Sequence, residues 1–143
     1  VCERSPLPVS VKTRLGLESP DEYERILELY CRMPLAELIV HPRVQRDGYD
    51  GKPRREFYGE TLERVPFPVA YNGDVFSSED MGELLAAYPG TRHVMLGRGV
   101  LMNPALPREI AGGAPLAMEE LSRFHDDLYA AYVAEMGGNA VFA

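Results

Sequence analysis

A glycine-rich turn after a short apolar run has the residue types of an anion site. Gly97, Arg98 and Gly99 directly follow the apolar residues 94–96, and a helix is predicted to start near residues 101–104. Glycines let backbone N–H groups approach an anion, a helix N-terminus adds partial positive charge, and an arginine binds the oxygens. The order strand, glycine turn and helix start therefore predicts a phosphate site, although Gly-Arg-Gly alone is also typical of a tight turn.

Three earlier segments that are predicted to be strands also end in polar groups. Lys12 lies near the end of run 9–14, His41 follows run 35–40, and Asn72, Gly73 and Asp74 follow run 67–71. Each group has an ordinary interpretation as well. The lysine could face water, the histidine could be a hydrogen-bonded neighbour of a proline, and Asn-Gly-Asp is a common turn sequence. The stronger argument is that four separate segments show the same pattern.

The elements that must position these groups are βα units. The four runs begin about 25 to 33 residues apart, with helical patterns between them, which predicts an α/β fold with a parallel sheet. In barrels and in open sheets of this kind, sites lie at the carboxyl ends of the strands. All four polar groups are therefore expected at one edge of the sheet.

Helix starts are marked by capping residues. Ser19, followed by Pro20 and Glu22, predicts a capping box at the start of the first helix, which should end at Pro34. Ser77 or Ser78 is predicted to cap a later helix, and residues 56–65 suit a short helix between the two.

The C-terminal part of the chain predicts a longer helix over residues 118–136. Gly112 and Gly113 suggest a linker before it, and residues 137–139 (Gly-Gly-Asn) should end it. One side of this helix is apolar. We expected the core to include the aromatic residues Tyr23, Tyr30, Phe124 and Tyr132.

Composition predicts a single cytoplasmic domain. The chain has 143 residues, 45% hydrophobic content and a net charge of −7, with no apolar run near the roughly 20 residues of a membrane helix and no visible signal peptide. Its two cysteines form neither a metal-binding pattern nor a disulfide framework, so they are predicted to be reduced. No metal site and no membrane contact are expected.

One segment departs from this acidic balance. Residues 41–55 carry a charge of +3, which leaves −10 on the rest of the chain. The segment is either a contact for an anionic partner or a solvated loop. Its basic residues are Arg43, Arg46, Lys52, Arg54 and Arg55.

Together the four motifs resemble the tRNA-dihydrouridine synthases. The matching segments are VSVKTRLG (9–16), IVHPR (39–43), YNGD (71–74) and VMLGRG (94–99) with Asn103-Pro104, so the resemblance spans about residues 8–136. It implies a flavin-dependent (βα)8 TIM barrel followed by a small helical domain. Residues 1–113 would be the second half of the barrel, with four βα units, and residues 114–143 the start of the helical tRNA-binding domain. The implied activity is reduction of the 5,6 double bond of tRNA uridines, with FMN as cofactor and NADPH as reductant.

The resemblance also assigns residues. Lys12 and His41 would contact the flavin, the turn at 72–74 would line it, and Gly97 with Arg98 would hold its phosphate. A cation near the flavin N1/C2 region stabilises negative charge on the reduced ring. The basic segment would lie at the barrel mouth, where Arg43, Arg54 and Arg55 are the predicted tRNA contacts, giving salt-dependent affinity.

The family's general acid has no counterpart in this sequence. The resemblance places it on a cysteine in an Asn-x-x-Cys-Pro motif, whereas Cys2 and Cys31 stand in other contexts. We therefore expect that cysteine upstream of Val1, and no catalysis by this chain alone. Two alternatives remain open: another FMN or sugar-phosphate barrel enzyme acting on a small molecule, and a non-catalytic half-barrel that self-associates through open strand edges and an apolar interior.

Overall fold

Four parallel strands, each followed by a helix, form the body of the protein. The structure is a computed structural model that describes residues 4–136. The elements are β1 (Ser10–Arg14), α1 (Glu22–Cys31), β2 (Glu37–His41), α2 (Arg55–Arg64), β3 (Val69–Asn72), α3 (Ser78–Ala87), β4 (His93–Met95), α4 (Arg98–Met102), α5 (Leu106–Ile110) and α6 (Met118–Met136). The predicted α/β class and its four βα units are confirmed.

The strands pair in sequence order, β1-β2-β3-β4, and every pairing is parallel. This order is that of half a (βα)8 barrel. The register aligns Arg14 with His41 and Asn72 with Met95, so the strands end at nearly the same level. The carboxyl ends of all four strands therefore meet at one edge, as the sequence predicted.

The core lies between the sheet and helices α1 to α3. Buried strand residues such as Leu38, Val40 and Tyr71 face these helices. Tyr58 of α2 packs edge-on against Tyr71, with 5.1 Å between ring centroids. Its hydroxyl donates to Thr91 Oγ1 at 2.9 Å, so this buried polar group is satisfied. The helices therefore cover one face of the four-stranded sheet, and the other face is turned away from them.

The helix caps that were predicted at Ser77 and Ser19 differ in the structure. Ser77 caps α3, and Asp80 completes a capping box with it, as predicted. At α1 only half of the predicted box forms, because Glu22 reaches back to the Ser19 N–H at 2.7 Å but the Ser19 hydroxyl does not cap the helix. A turn over Ser19–Asp21 precedes the helix, which begins at Glu22, and the Ser19 hydroxyl accepts from the Asp21 N–H within that turn. The Glu22 carboxylate accepts from three N–H groups, those of residues 17, 18 and 19.

The core prediction for α6 is also wrong. Phe124 and Tyr132 are 50% and 55% exposed, because no described element covers the apolar side of this helix beyond its first turns. Tyr23 is buried as predicted, and Tyr30 is half-buried. The predicted helix end at residues 137–139 and Cys2 lie outside the described residues. The division into residues 1–113 and 114–143 stays a prediction.

The sheet face turned away from the helices is mostly polar, whereas an apolar interior was predicted. Strand alternation and register place three apolar residues on this face (Ile39, Ala70 and Met95) beside seven polar ones: Ser10, Lys12, Arg14, Glu37, His41, Asn72 and His93. His93 Nδ1 lies 2.5 Å from Glu37 Oε1 across the sheet. The sequence error arose because inward positions of a parallel strand were assumed to be apolar. Self-association stays a prediction.

Candidate functional site

The carboxyl ends of the four strands line a cavity of about 260 Å³. Every residue predicted to contact a cofactor lies on it. The lining residues are Lys12, Arg14, His41, Tyr49, Asn72, Gly73, Asp74, Met95, Leu96, Gly97 and Arg98. Sequence reasoning missed Arg14, Tyr49, Met95 and Leu96 as members of the site.

Each strand end contributes to the cavity through its own geometry. Lys12 and Arg14 are two residues apart on β1, so both point to the same face. His41 is the last residue of β2, and Asn72 is the last of β3. The Asn72 side chain donates from Nδ2 to the Met95 carbonyl at 2.8 Å, which joins the ends of β3 and β4.

The helix after β4 begins earlier than predicted. It starts at Arg98, immediately after Gly97, rather than near residues 101–104. Gly99 makes this possible, because a Cβ there would overlap the Val75 carbonyl, and only glycine allows α4 to approach so closely. The space beside Gly97 is open. The strand–glycine–helix order is thus confirmed with a tighter junction.

A carboxylate shared by two arginines connects three strand ends. Arg43 donates from Nη1 and Nη2 to the two oxygens of Asp74 at 3.0 and 2.6 Å. Arg98 donates from Nη2 to Asp74 Oδ1 at 2.7 Å. The hydrogen bond from Arg43 is the main reason that the pKa of Asp74 is lowered, so this carboxylate is ionised at neutral pH.

The three predicted tRNA contacts all have partners within the protein. Arg43 is only 1% exposed, Arg54 lies 2.5 Å from Asp47 Oδ2, and the Arg55 guanidinium lies 5.9 Å from the Tyr71 ring centroid. The more accessible cations of the segment are two others. Arg46 is 75% exposed with Glu18 at 3.4 Å, and Lys52 is exposed.

The basic segment forms a well-anchored loop beside the cavity. Arg14 donates to the carbonyls of Val44 and Gly48 at 2.8 and 3.0 Å, which attaches the loop to β1. Tyr49, 63% exposed, lines the cavity with the Arg98 guanidinium 4.5 Å from its ring centroid. The two-residue period from Lys12 could have identified Arg14. Nothing in the sequence identified Tyr49.

The electrostatics of the cavity favour an anionic ligand. The pKa of His41 is lowered to about 4, mainly by burial and in part by the nearby charges of Arg14, Lys12 and Arg43, so the imidazole is neutral at pH 7. Partial desolvation, with a smaller effect of Arg14, lowers the pKa of Lys12. An anion in the cavity would relieve this repulsion among the cations.

The lowered pKa of His41 predicts a pH-dependent stability. The unfolded chain takes up a proton near the ordinary pKa of 6.5, whereas the folded chain resists it down to about 4. Stability from this group is therefore present above pH 6.5 and is lost as the pH falls towards 4. We expect His41→Gln to reduce the loss of unfolding free energy between pH 7 and pH 5 by about 1–2 kcal/mol, measured by urea unfolding. Equal losses in both proteins would contradict the assignment.

Comparison with known proteins identifies the family. A family model described as dihydrouridine synthase (Dus) matches residues 1–128. The chain belongs to the dihydrouridine synthase family. The match covers the four βα units and the residues of the cavity at their ends.

Individual relatives within the dihydrouridine synthase family carry the same name. The tRNA-dihydrouridine(16) synthase of Yersinia pestis is 36% identical over 110 residues, which is 76% of this chain and 35% of the relative. The protein of that name from Escherichia coli O157:H7 is 34% identical, covering 76% of this chain and 34% of the relative. That of Pseudomonas syringae pv. tomato is 33% identical, covering 73% and 33%. The chain thus spans about a third of the length of the curated relatives it matches.

The described residues contain neither a cluster that could bind a metal ion nor a helix that could cross a membrane. Among residues 4–136, no group of three or more His, Cys, Asp or Glu side chains is placed to hold a metal ion. Within the same part of the chain, no helix is both long and apolar enough to cross a membrane.

Proposed function

We propose that this chain is the second half of the cofactor-binding barrel of a tRNA-dihydrouridine synthase that reduces the 5,6 double bond of uridine 16. The observation that carries the proposal is the convergence of Lys12, His41, residues 72–74 and Gly97-Arg98 on one cavity. The names of the relatives support the tRNA substrate and the position. The cytoplasmic location predicted from the sequence is part of the same proposal.

The residues around the cavity suit FMN. Arg98 and the open space beside Gly97 would hold the phosphate, because an arginine and accessible backbone N–H groups are typical phosphate ligands. Lys12 and neutral His41 would hold the flavin ring. When bound, FMN would supply the hydride for the base, with NADPH as the reductant.

The chain's own side chains would then have distinct roles. The ammonium of Lys12 stabilises negative charge that accumulates in the cavity, more strongly because the group is partly desolvated. Neutral His41 donates one hydrogen bond without adding charge. Tyr49 presents an aromatic ring at the cavity, on which a uracil extruded from its stack can lie.

None of these side chains is assigned as the proton donor to the base. None of the cavity residues is a cysteine, and Cys31 lies at the end of α1, where its Sγ is 3.8 Å from the Arg64 carbonyl. The general-acid cysteine upstream of Val1, and the inactivity of this chain alone, stay predictions.

The test of function uses the protein expressed from the natural reading frame that contains this chain. With FMN, NADPH and unmodified tRNA, we expect dihydrouridine at position 16, detected by mass spectrometry of nuclease fragments. A tRNA carrying cytidine at position 16 is the matched control and should stay unmodified. Modification at another position would overturn the assignment to uridine 16. Reduction of a small substrate with no tRNA product would favour the alternative barrel enzyme.

The basic loop predicts salt-dependent tRNA binding. The plot of log K against log salt has a negative slope, and each lost phosphate contact should reduce its magnitude by about 0.7–0.9. We expect Arg46→Ala with Lys52→Ala to reduce the slope more than Arg54→Ala with Arg55→Ala, because Arg54 and Arg55 already have partners within the protein. Filter binding at several salt concentrations measures this.

Arg25→Ala, at an exposed position on α1, is the control for a general change in charge. If neither double variant changes the slope more than Arg25→Ala does, the loop is not a tRNA contact.

A further inference from the structure

Arg43 is a buried cation beside the proposed flavin site, and its contacts point inward. It does not line the cavity and is 1% exposed, so it does not reach a ligand or an RNA phosphate. We propose that Arg43 is a positioning residue that holds His41 in one neutral tautomer and, through Asp74, orients Arg98. The inference uses the proposed function only to say what these two side chains then face.

The contact with His41 determines where the imidazole proton lies. Arg43 Nη1 is 3.3 Å from His41 Nε2. A guanidinium nitrogen can only donate, so Nε2 must accept, and a neutral imidazole then carries its hydrogen on Nδ1. Nδ1 has no hydrogen bond among the described residues and is not one of their buried unpaired atoms, so it is accessible, and His41 lines the cavity. Arg43 thus makes His41 a neutral N–H donor.

The contact with Asp74 extends the effect to the proposed phosphate site. Arg43 binds both carboxylate oxygens, and Asp74 Oδ1 also accepts from Arg98 at 2.7 Å. The second amino group of Arg43 donates to the Gly51 carbonyl at 2.5 Å, which ties the loop to the same point. The end of β2, the turn after β3 and the start of α4 are therefore held by one side chain.

A lysine at position 43 cannot make the same set of contacts. Arg43 reaches a ring nitrogen, two carboxylate oxygens and a carbonyl at once, which needs a planar, multidentate donor. Among residues 4–136 the buried Nε of Arg43 has no hydrogen-bond partner, so all of its hydrogen bonds there come from the two Nη groups.

The first experiment is a measurement on the unmodified chain. Long-range ¹H–¹⁵N spectra of the histidine-labelled 143-residue chain, without FMN, report the tautomer of each imidazole. His93 and His125 are internal controls, and His41→Gln identifies the His41 signals. We expect His41 to be the Nδ1–H form at pH 7 and not to titrate between pH 5.5 and 8. An Nε2–H form, or a midpoint near 6.5, would overturn the proposal.

The second experiment removes the arginine. In Arg43→Lys and Arg43→Met we expect the Nδ1–H signal of His41 to be lost, because no guanidinium then holds Nε2 as an acceptor, while the tautomer signals of His93 and His125 are unchanged. Arg54→Lys, in the same loop but paired with Asp47, is the matched control and should leave His41 unchanged. Retention of the Nδ1–H tautomer of His41 in a folded Arg43 variant would overturn the proposal.

These spectra separate the inference from the proposed function. They require neither FMN nor tRNA, so an inactive protein with an Arg43-dependent His41 tautomer would refute the function and leave the inference intact. An active synthase in which the His41 tautomer does not depend on Arg43 would support the function and refute the inference. If Arg43→Met does not fold, the unmodified chain and Arg43→Lys still decide the question.

Discussion

Replacing Asp74 by alanine is expected to lower the free energy of unfolding by about 3–5 kcal/mol, because it leaves a buried cation without its counter-ion. Arg43 is 1% exposed and donates two hydrogen bonds to Asp74, and its remaining acceptors are the uncharged His41 and a backbone carbonyl. Urea unfolding followed by circular dichroism at pH 7 measures the loss.

A matched pair on the surface provides the control for the Asp74 prediction. Glu18→Ala removes the partner of Arg46, but both side chains are exposed and lie 3.4 Å apart, so the expected loss is about 0–1 kcal/mol. Asp74→Asn keeps one oxygen acceptor and should fall between the two. If Asp74→Ala costs no more than Glu18→Ala, the Arg43 charge is stabilised by something other than this carboxylate.

Replacing Arg98 by alanine is expected to raise the Kd for FMN by roughly 10–100-fold, which corresponds to the loss of about 1.5–3 kcal/mol of charge-assisted hydrogen bonding. Arg98 lines the cavity beside Gly97 and is 40% exposed, so its guanidinium can reach a ligand while Asp74 holds it. Titration of flavin fluorescence with the purified protein measures the change.

Riboflavin, which lacks the phosphate, tests the cause of the loss. Arg98→Ala should leave riboflavin affinity nearly unchanged, whereas Lys12→Met should weaken both ligands, because Lys12 is proposed to contact the ring. Arg92→Ala is the matched control, since Arg92 is exposed, precedes the same strand and does not line the cavity. An equal loss for FMN and riboflavin in Arg98→Ala would show that the cavity itself had changed, which would contradict a phosphate role.

Much of the fold and most of the proposed flavin site were predictable from the sequence. Strand ends were visible because each apolar run stops at a polar or glycine residue, as at His41 and Gly97. The capping box at Ser77 was visible because its partner, Asp80, is only three residues away. Parallel strands end at one edge, so the convergence of the motifs followed from topology alone.

Two of the differences between prediction and structure have a shared cause, which is that long-range partners leave no local pattern. Arg43 was interpreted as a tRNA contact because it stands in a basic segment, yet its partner Asp74 is 31 residues away. Phe124 was assigned to the core from helical periodicity, but periodicity identifies an apolar face without showing what covers it. The capping error at Ser19 arose from a turn that local propensity does not distinguish from the first turn of a helix.

The sequence by itself determined the βα repeat, the four strand ends and the family, because these depend on local periodicity, turn chemistry and motif order. Only the tertiary structure decided which charges meet. It enclosed Arg43 with Asp74 and placed Tyr49 against Arg98 at the cavity. Both results depend on the path of the loop between β2 and α2. That path is determined by hydrogen bonds from Arg14 and Arg43 to loop carbonyls, and a carbonyl has no signature in the sequence.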